Sequence, residues 1–384
     1  LMRLTDTDGD HWADHRENMS DHFRFNGNYH EYLHGPVKYG DSYLYNLNLA
    51  HRIEGNYKGG GAAMGTVGGL RGWMCEINSK GEFNTFANGL RSPAGLAVSP
   101  AGEIVYAENQ GSYVGTSKIF IVKKGKFYGN PVGLIDLPGM NDQSKEVQWE
   151  SVKNNRELPL VLMPQSKAAN SPGSPEWDTS GGKFGPYSGK MFVGDQTLSR
   201  LFVVDRQKVG DIEQAALIPF AEGLASGAMR LKFNPVDHSL WIGQTGRGWG
   251  ARGGSQAAFQ KLSWDGTMPN AIQSVKATAK GFDLFFTKAQ SADFGDITVS
   301  SWFYTDSPDY GSLENGKRED KVLRQVWNSD KTTCSIELEN FKIEPRTGTN
   351  TSRVYHLLLD KTKLAETGKF QAQAFFTLHA IPTK

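Results

Sequence analysis

The chain has 384 residues, which at about 150 residues per domain suggests two or three domains, or one β-propeller with a small companion. Glycine is the outlier at 44 residues, about 11% against an average near 7%, while 38% hydrophobic and 22% charged residues exclude a disordered chain. Lys plus Arg (42) nearly balance Asp plus Glu (41), which excludes a general attraction to nucleic acid or anionic membranes, and no apolar run approaches the ~20 residues of a membrane span.

The first element is an acidic loop, Asp6-Thr7-Asp8-Gly9-Asp10-His11-Trp12-Ala13-Asp14-His15-Arg16-Glu17. Counted from Asp6, carboxylates fall at positions 1, 3, 5, 9 and 12 (Asp6, Asp8, Asp10, Asp14, Glu17) and Trp12 at position 7, a spacing that suits the oxygen ligands of a calcium loop. His11 stands at the sixth position, where glycine usually makes the turn, and Gly9 offers another place for it. The expectation is a Ca²⁺ ion that staples the loop; the plainer alternative is a solvated acidic turn.

Six of the nine histidines follow within the first 51 residues. The stretch His30-Glu31-Tyr32-Leu33-His34-Gly35-Pro36 leads into a first hairpin, which places His30 and His34 at one mouth of the expected fold. There they serve either as general base or metal ligand, or as hydrogen-bonding loop residues.

Four later segments repeat a turn followed by a short aromatic-aliphatic strand. They are Gly40 to Tyr45, Gly102 to Ala107, Gly189 to Gly194 and His238 to Gly243. Of their intervals of 62, 87 and 49 residues, the last matches the ~40–50 residues of a propeller blade, and the wider two hold long loops or a further blade. The best helical candidate, Asp211 to Leu224, is interrupted by Pro219. The repeat stops near Trp264, and after Pro269 longer alternating strands (Phe282 to Thr287, Ser335 to Leu338, Val354 to Leu357, Ala374 to Thr377) suit an immunoglobulin-like sandwich. The predicted fold is therefore all-β, with a propeller over 1–268 and a sandwich over 269–384.

Several loops carry polar residues suited to a ligand. Gly89-Leu90-Arg91-Ser92-Pro93 enters a strand pair ending at Glu108-Asn109-Gln110-Gly111, so Arg91 either pairs with Glu108 or faces a central ligand. Asp178, Asp195-Gln196-Thr197 and Arg200 sit at turns or strand ends. The loop Gln244 to Gly254 joins glycines to Arg247, Trp249 and Arg252, giving close backbone approach, stacking and bidentate anion contacts. Cys75 and Cys334 form no CxxC or CxxCH pattern, which rules out a c-type haem attachment site; two buried thiols are the expectation, and a single disulfide linking the chain's halves the alternative.

Arg91-Ser92-Pro93-Ala94-Gly95-Leu96-Ala97, the run Gly102 to Gly111, and Gly125-Lys126-Phe127-Tyr128-Gly129-Asn130-Pro131 resemble the glucose/sorbosone dehydrogenase family. Its members are six-bladed propellers, many of which bind pyrroloquinoline quinone and calcium and oxidise sugars. The chain is also similar to secreted propellers of that type with an Asp-Thr-Asp-Gly-Asp loop, a Trp-Asp-Thr-Ser-Gly-Gly-Lys-Phe-Gly-Pro stretch and a Gly-Asp-Gln-Thr strand end, many of which continue into a haem-binding module. The resemblance implies that Arg91 and Arg230 contact the quinone, and that Gly111 lies where a backbone carbonyl helps hold calcium. The family's catalytic histidine aligns near Tyr32, flanked by His30 and His34; its cofactor-binding lysine falls near Thr197 or Leu198, and no lysine is there. The likeness begins after the usual propeller start, so the propeller is expected to be incomplete at its N-terminus, short of one or two blades.

Three functions follow from this reading. One is a calcium-requiring quinoprotein dehydrogenase of sugars or alcohols, with His34 or His30 as base, Arg91 and Arg230 as clamp, and a haem-containing electron acceptor as partner. Another is a propeller that binds or cleaves a small sugar or polysaccharide through Tyr32, Arg247 and Trp249 without quinone. The third is a docking module of a larger redox or surface assembly. A periplasmic or extracellular location goes with the resemblance.

Overall fold

In the computed structural model the described residues are 1–23, 31–49, 69–137, 150–246, 250–291, 294–345, 349–368 and 370–383. Short alternating runs closed by glycine turns favour antiparallel pairing, and the chain is all-β. A hairpin of β1 (Met2–Thr5) and β2 (His15–Asn18) holds the acidic loop at its tip.

Four sheets follow in chain order. The first runs β3 (Leu33–Tyr39), β4 (Ser42–Leu47), β5 (Trp73–Asn78) and β6 (Phe83–Asn88); the second runs β7 (Gly95–Val98), β8 (Ile104–Glu108), β9 (Ser117–Val122) and β10 (Val161–Met163). The third contains β11 (Glu176–Trp177), β12 (Met191–Asp195), β13 (Arg200–Val209) and β14 (Ile212–Ala221), and the fourth β15 (Ala228–Phe233), β16 (Leu240–Thr245) and β17 (Ala257–Leu262). The four repeated segments become β4, β8, β12 and β16, each an interior strand of its sheet. The residue that opens each turn is left-handed: Gly40 (φ 57°), Gly102 (φ 83°), Gly189 (φ 77°) and His238 (φ 59°), so histidine takes glycine's conformation in the last repeat.

The sheets meet backbone to backbone along their inner edges. Pro172 bridges to Asp195, and a Cβ on Gly95 would stand closer than 3.0 Å to the Gly173 carbonyl. A Cβ on Gly173 would crowd the Met229 backbone in the same way. Ser174 N donates to the Met229 carbonyl (3.1 Å), and Asn46 Nδ2 donates to the Pro93 carbonyl (3.4 Å) between the first and second sheets. The stretch with Pro219 forms β14 rather than a helix, because Pro219 lies opposite Phe202 beside a register shift, where a missing N–H is tolerated.

Beyond β17, β18 (Ile272–Ala277), β19 (Gly281–Phe286), β23 (Thr333–Leu338) and β22 (Val322–Trp327) form one four-stranded sheet. The strands β20 (Thr298–Phe303), β21 (Asn315–Asp320), β24 (Arg353–Leu358) and β25 (Gln373–Leu378) extend the third sheet: β25 pairs with β14, making eight strands in one sheet. A shared core crosses residue 269, joining Phe184, Phe192 and Leu231 to Phe282, Leu357 and Phe376. Cys75 and Cys334 are both buried thiols, and burial pushes the Cys334 thiol up to about 12.

Candidate functional site

Alternating strand direction brings the start of β3, the end of β8, the end of β12 and the β16–β17 connection to the same end of their sheets. His34, the second residue of β3, opens that end of the first sheet. Its Nε2 is buried and has no hydrogen-bond partner among the described residues, and the Tyr32 ring lies 5.8 Å from its own. Burial pushes the imidazole down to about 3, and the positive charge of Arg230 adds to the shift. That influence puts Arg230, on β15 of the fourth sheet, within electrostatic reach of the first. Arg230 Nη1 donates to the Met229 carbonyl (2.9 Å), and among the described residues no carboxylate pairs with it. Beneath Tyr32, Arg71 and Glu31 form a buried pair 3.7 Å apart, and Arg71 Nη1 donates to the Tyr32 carbonyl at 3.4 Å.

Arg91 sits in the β6–β7 connection. The Glu108 carboxylate, at the end of β8, accepts from Arg91 N (2.9 Å) and Ser92 N (2.5 Å), so the expected Arg91–Glu108 link runs through the backbone amides. The guanidinium turns away, giving Nη1 to the Gln110 carbonyl (3.0 Å) and packing on Gly111, where a Cβ would collide with it. Burial raises the Glu108 carboxyl to about 7 against the opposing pull of the two amides, Arg91 and Lys118.

The β20–β21 loop lies on this region, an element for which the sequence carried no signal. The Asp306 carboxylate accepts from Lys118 Nζ (3.0 and 3.2 Å) and Gly115 N (2.7 Å), with Arg156 Nε 3.6 Å away. Tyr113 N donates to the Ser307 carbonyl (2.6 Å), Gly311 N to the Gly111 carbonyl (3.1 Å) and Ser312 N to the Gly115 carbonyl (2.9 Å). Tyr310 places its ring 5.3 Å from the Arg91 guanidinium carbon.

Other predicted polar residues serve the scaffold. Asp195 accepts from the amides of Asn170 (2.8 Å), Ser171 (2.6 Å) and Leu198 (2.6 Å). Thr197 Oγ1 donates to Ser171 Oγ (3.2 Å), and Arg200 pairs with Glu222 at 3.4 Å. Asp178 Oδ1 accepts from Ser180 N (2.8 Å) within its turn. His30, Arg247 and Trp249 lie outside the described residues.

In the acidic loop, single oxygens of Asp6, Asp8 and Asp10 lie within 4.8 Å of one another, all exposed. Gly9 (φ 80°) and His11 (φ 74°) are both left-handed, so the sixth position keeps its turn with histidine in it. Asp6 accepts from Gly9 N (2.7 Å) and His11 N (2.9 Å), which holds its carboxyl below the usual range, and Asp10 Oδ1 accepts from Trp12 N (2.7 Å). Asp14 turns to Thr7 instead (Thr7 N 3.0 Å, Thr7 Oγ1 2.6 Å), and Glu17 to Arg3, whose Nε donates at 2.9 Å. The cause is the hairpin register, which sets Arg3 opposite Glu17. The structure thus gathers three of the six predicted ligands.

No family model matches the chain, and no curated protein matches it. Among solved structures it is similar to a protein described as an oxidoreductase (glucose dehydrogenase) of Thermus thermophilus, at 17% identity and TM-score 0.38, covering 58% of this chain and 61% of that one. A PQQ-bound aldose sugar dehydrogenase of Streptomyces coelicolor matches at 16% identity and TM-score 0.38, covering 58% of each chain. A fungal alcohol oxidase of the AA5 family, in complex with copper, matches at 11% identity and TM-score 0.21, covering 88% of this chain and 83% of that one. The chain thus spans about three-fifths of the length of the first two. At such identities and scores, its own residues carry the functional argument.

Proposed function

We propose that the four sheets are blades of a β-propeller carrying an immunoglobulin-like sandwich, and that the chain is a quinoprotein-like dehydrogenase of sugar or alcohol hydroxyls. The observation that carries the reading is His34, a half-buried neutral imidazole whose Nε2 is buried and unpartnered, within electrostatic reach of Arg230, which has no carboxylate partner among the described residues. Buried polar atoms are normally satisfied, so such a nitrogen is fitted to receive a ligand's O–H.

Pyrroloquinoline quinone is a planar tricarboxylate, and its chemistry when bound is to accept two electrons from the substrate carbon. Arg230 supplies a cation for one of its carboxylates. Arg91 supplies a second, though Tyr310 covers it, and Thr197 and Leu198 offer no third. With the quinone bound to receive the substrate's two electrons, His34 Nε2 would take the hydroxyl proton. Burial is the larger cause of the weak basicity of His34, and an anion on Arg230 would offset only the smaller one, the cation's charge. His34→Gln is expected to lower turnover by about 10²–10⁴-fold, the usual range for a general base.

Asp6, Asp8 and Asp10 offer hard oxygens that suit Ca²⁺, which would brace the hairpin far from the chemistry. A periplasmic or extracellular location and a haem-containing acceptor accord with this reading. Titration calorimetry of the metal-stripped protein with pyrroloquinoline quinone, with and without Ca²⁺, tests it. Binding near one equivalent is expected in both experiments, since the calcium loop lies on a separate hairpin, and absence of heat in both removes the dehydrogenase.

Tyr32, 41% exposed beside His34, favours one alternative, a carbohydrate-facing surface that works without quinone. A glycan array separates the two, since saccharide binding by a protein that takes up no quinone selects the alternative.

A further inference from the structure

The β20–β21 loop is fastened to the candidate site from end to end, by Asp306 on Lys118 and Gly115, by Ser307 on Tyr113, and by Gly311 on Gly111. Gly311 is left-handed (φ 74°) and abuts the Gln110 side chain, so the chain turns sharply just after Tyr310. The ring set down at that turn lies over the guanidinium of Arg91, a residue only 4% exposed, while half of Tyr310 stays open to solvent. Gly111 and the Gln110 carbonyl occupy other sides of Arg91. Among the described residues, Tyr310 is the solvent-facing group that covers Arg91.

We propose that Tyr310 is a specificity-determining residue of the site: it admits to Arg91 only a ligand able to displace its ring, so the segment beyond residue 269 sets which anions the site accepts. The inference rests on the reading of Arg91 as a ligand contact. A flat polycarboxylate can replace both the charge and the stacking that the guanidinium loses when the ring leaves, whereas a small inorganic anion replaces charge alone.

The test compares the full chain with Tyr310→Phe and Tyr310→Ala under phenylglyoxal, following the label on Arg91 by peptide mass against exposed Arg324 as internal standard. Arg91 is expected to resist in the wild type and in Tyr310→Phe, and to react about tenfold faster in Tyr310→Ala, the change expected for loss of a partly buried cation–π cover. Titration with pyrroloquinoline quinone should show about tenfold tighter binding to Tyr310→Ala than to the wild type by the same reasoning. Equal labelling in the wild type and Tyr310→Ala overturns the proposal, as does equal quinone affinity despite faster labelling. If no variant binds quinone while Arg91 reacts fast only in Tyr310→Ala, the cofactor reading falls and Tyr310 stands as the cover of Arg91. Should Tyr310→Ala fail to fold, Tyr310→Leu keeps apolar bulk without the π face and answers the same question.

Discussion

Burial lifts the Glu108 carboxyl to about 7 while two backbone amides and two cations pull it back. The folded protein therefore binds this proton more tightly than the unfolded chain, whose carboxyl titrates near 4.5. The stabilisation is complete below that value and is lost as pH rises through about 7. Relative to Glu108→Gln, the wild type should lose up to about 3 kcal/mol between pH 4.5 and 8, measurable by urea unfolding at both ends. A difference that stays constant with pH would show that Glu108 is not shifted. His34 moves the opposite way: with its folded value near 3, the histidine stays neutral throughout the physiological range. Nitrogen NMR of the imidazole should show no titration between about pH 5 and 8 in the ligand-free protein. An inflection near 6.5 would mean that His34 is solvated and is no buried acceptor.

The blade-like elements owe their spacing to glycines that let backbones touch. Gly95→Ala would drive a Cβ into the Gly173 carbonyl, a backbone atom with no rotamer to yield. It should destabilise the protein by about 1–3 kcal/mol, read as a lowered midpoint in thermal unfolding. The control is Gly102→Ala, where nothing lies within 4 Å and the left-handed φ alone is strained.

These elements were legible because turn residues and period-two alternation are local signals, and the four repeats and the later strands fall where those signals put them. Pro219 was legible as a breaker and misleading as to what it broke, since a bulge in β14 accommodates it. Arg91 and His34 were visible as polar residues near strand ends, but the Tyr310 ring over Arg91 was not. Nor was the Lys118–Asp306 pair, whose members stand 188 positions apart and meet only through tertiary packing. Glu17 shows the same limit at short range: its place in a ligand count yields to the cross-strand register that gives it to Arg3.

For the whole molecule, that buried cluster fastens the second half of the chain to the first. Asp306→Ala leaves Lys118 and Arg156 without their shared carboxylate in a site nearly closed to water. A loss of about 3–5 kcal/mol is expected, the range for breaking a buried ion pair from one side. If unfolding stays cooperative, one denaturant transition should move to lower concentration; two separated transitions would mean that the halves are stable apart.

The continuation of β14 into β25 bears on how the protein is made. Gln214 Oε1 accepts from the amide of His379, 165 positions further along. During synthesis, β14 leaves the ribosome long before its neighbour exists, and for that interval an apolar strand carrying Ala215 and Leu217 presents an open edge. Closing such a distant pair is intrinsically slow. The nascent chain thus passes through a stage in which this apolar edge stays bare until β25 arrives.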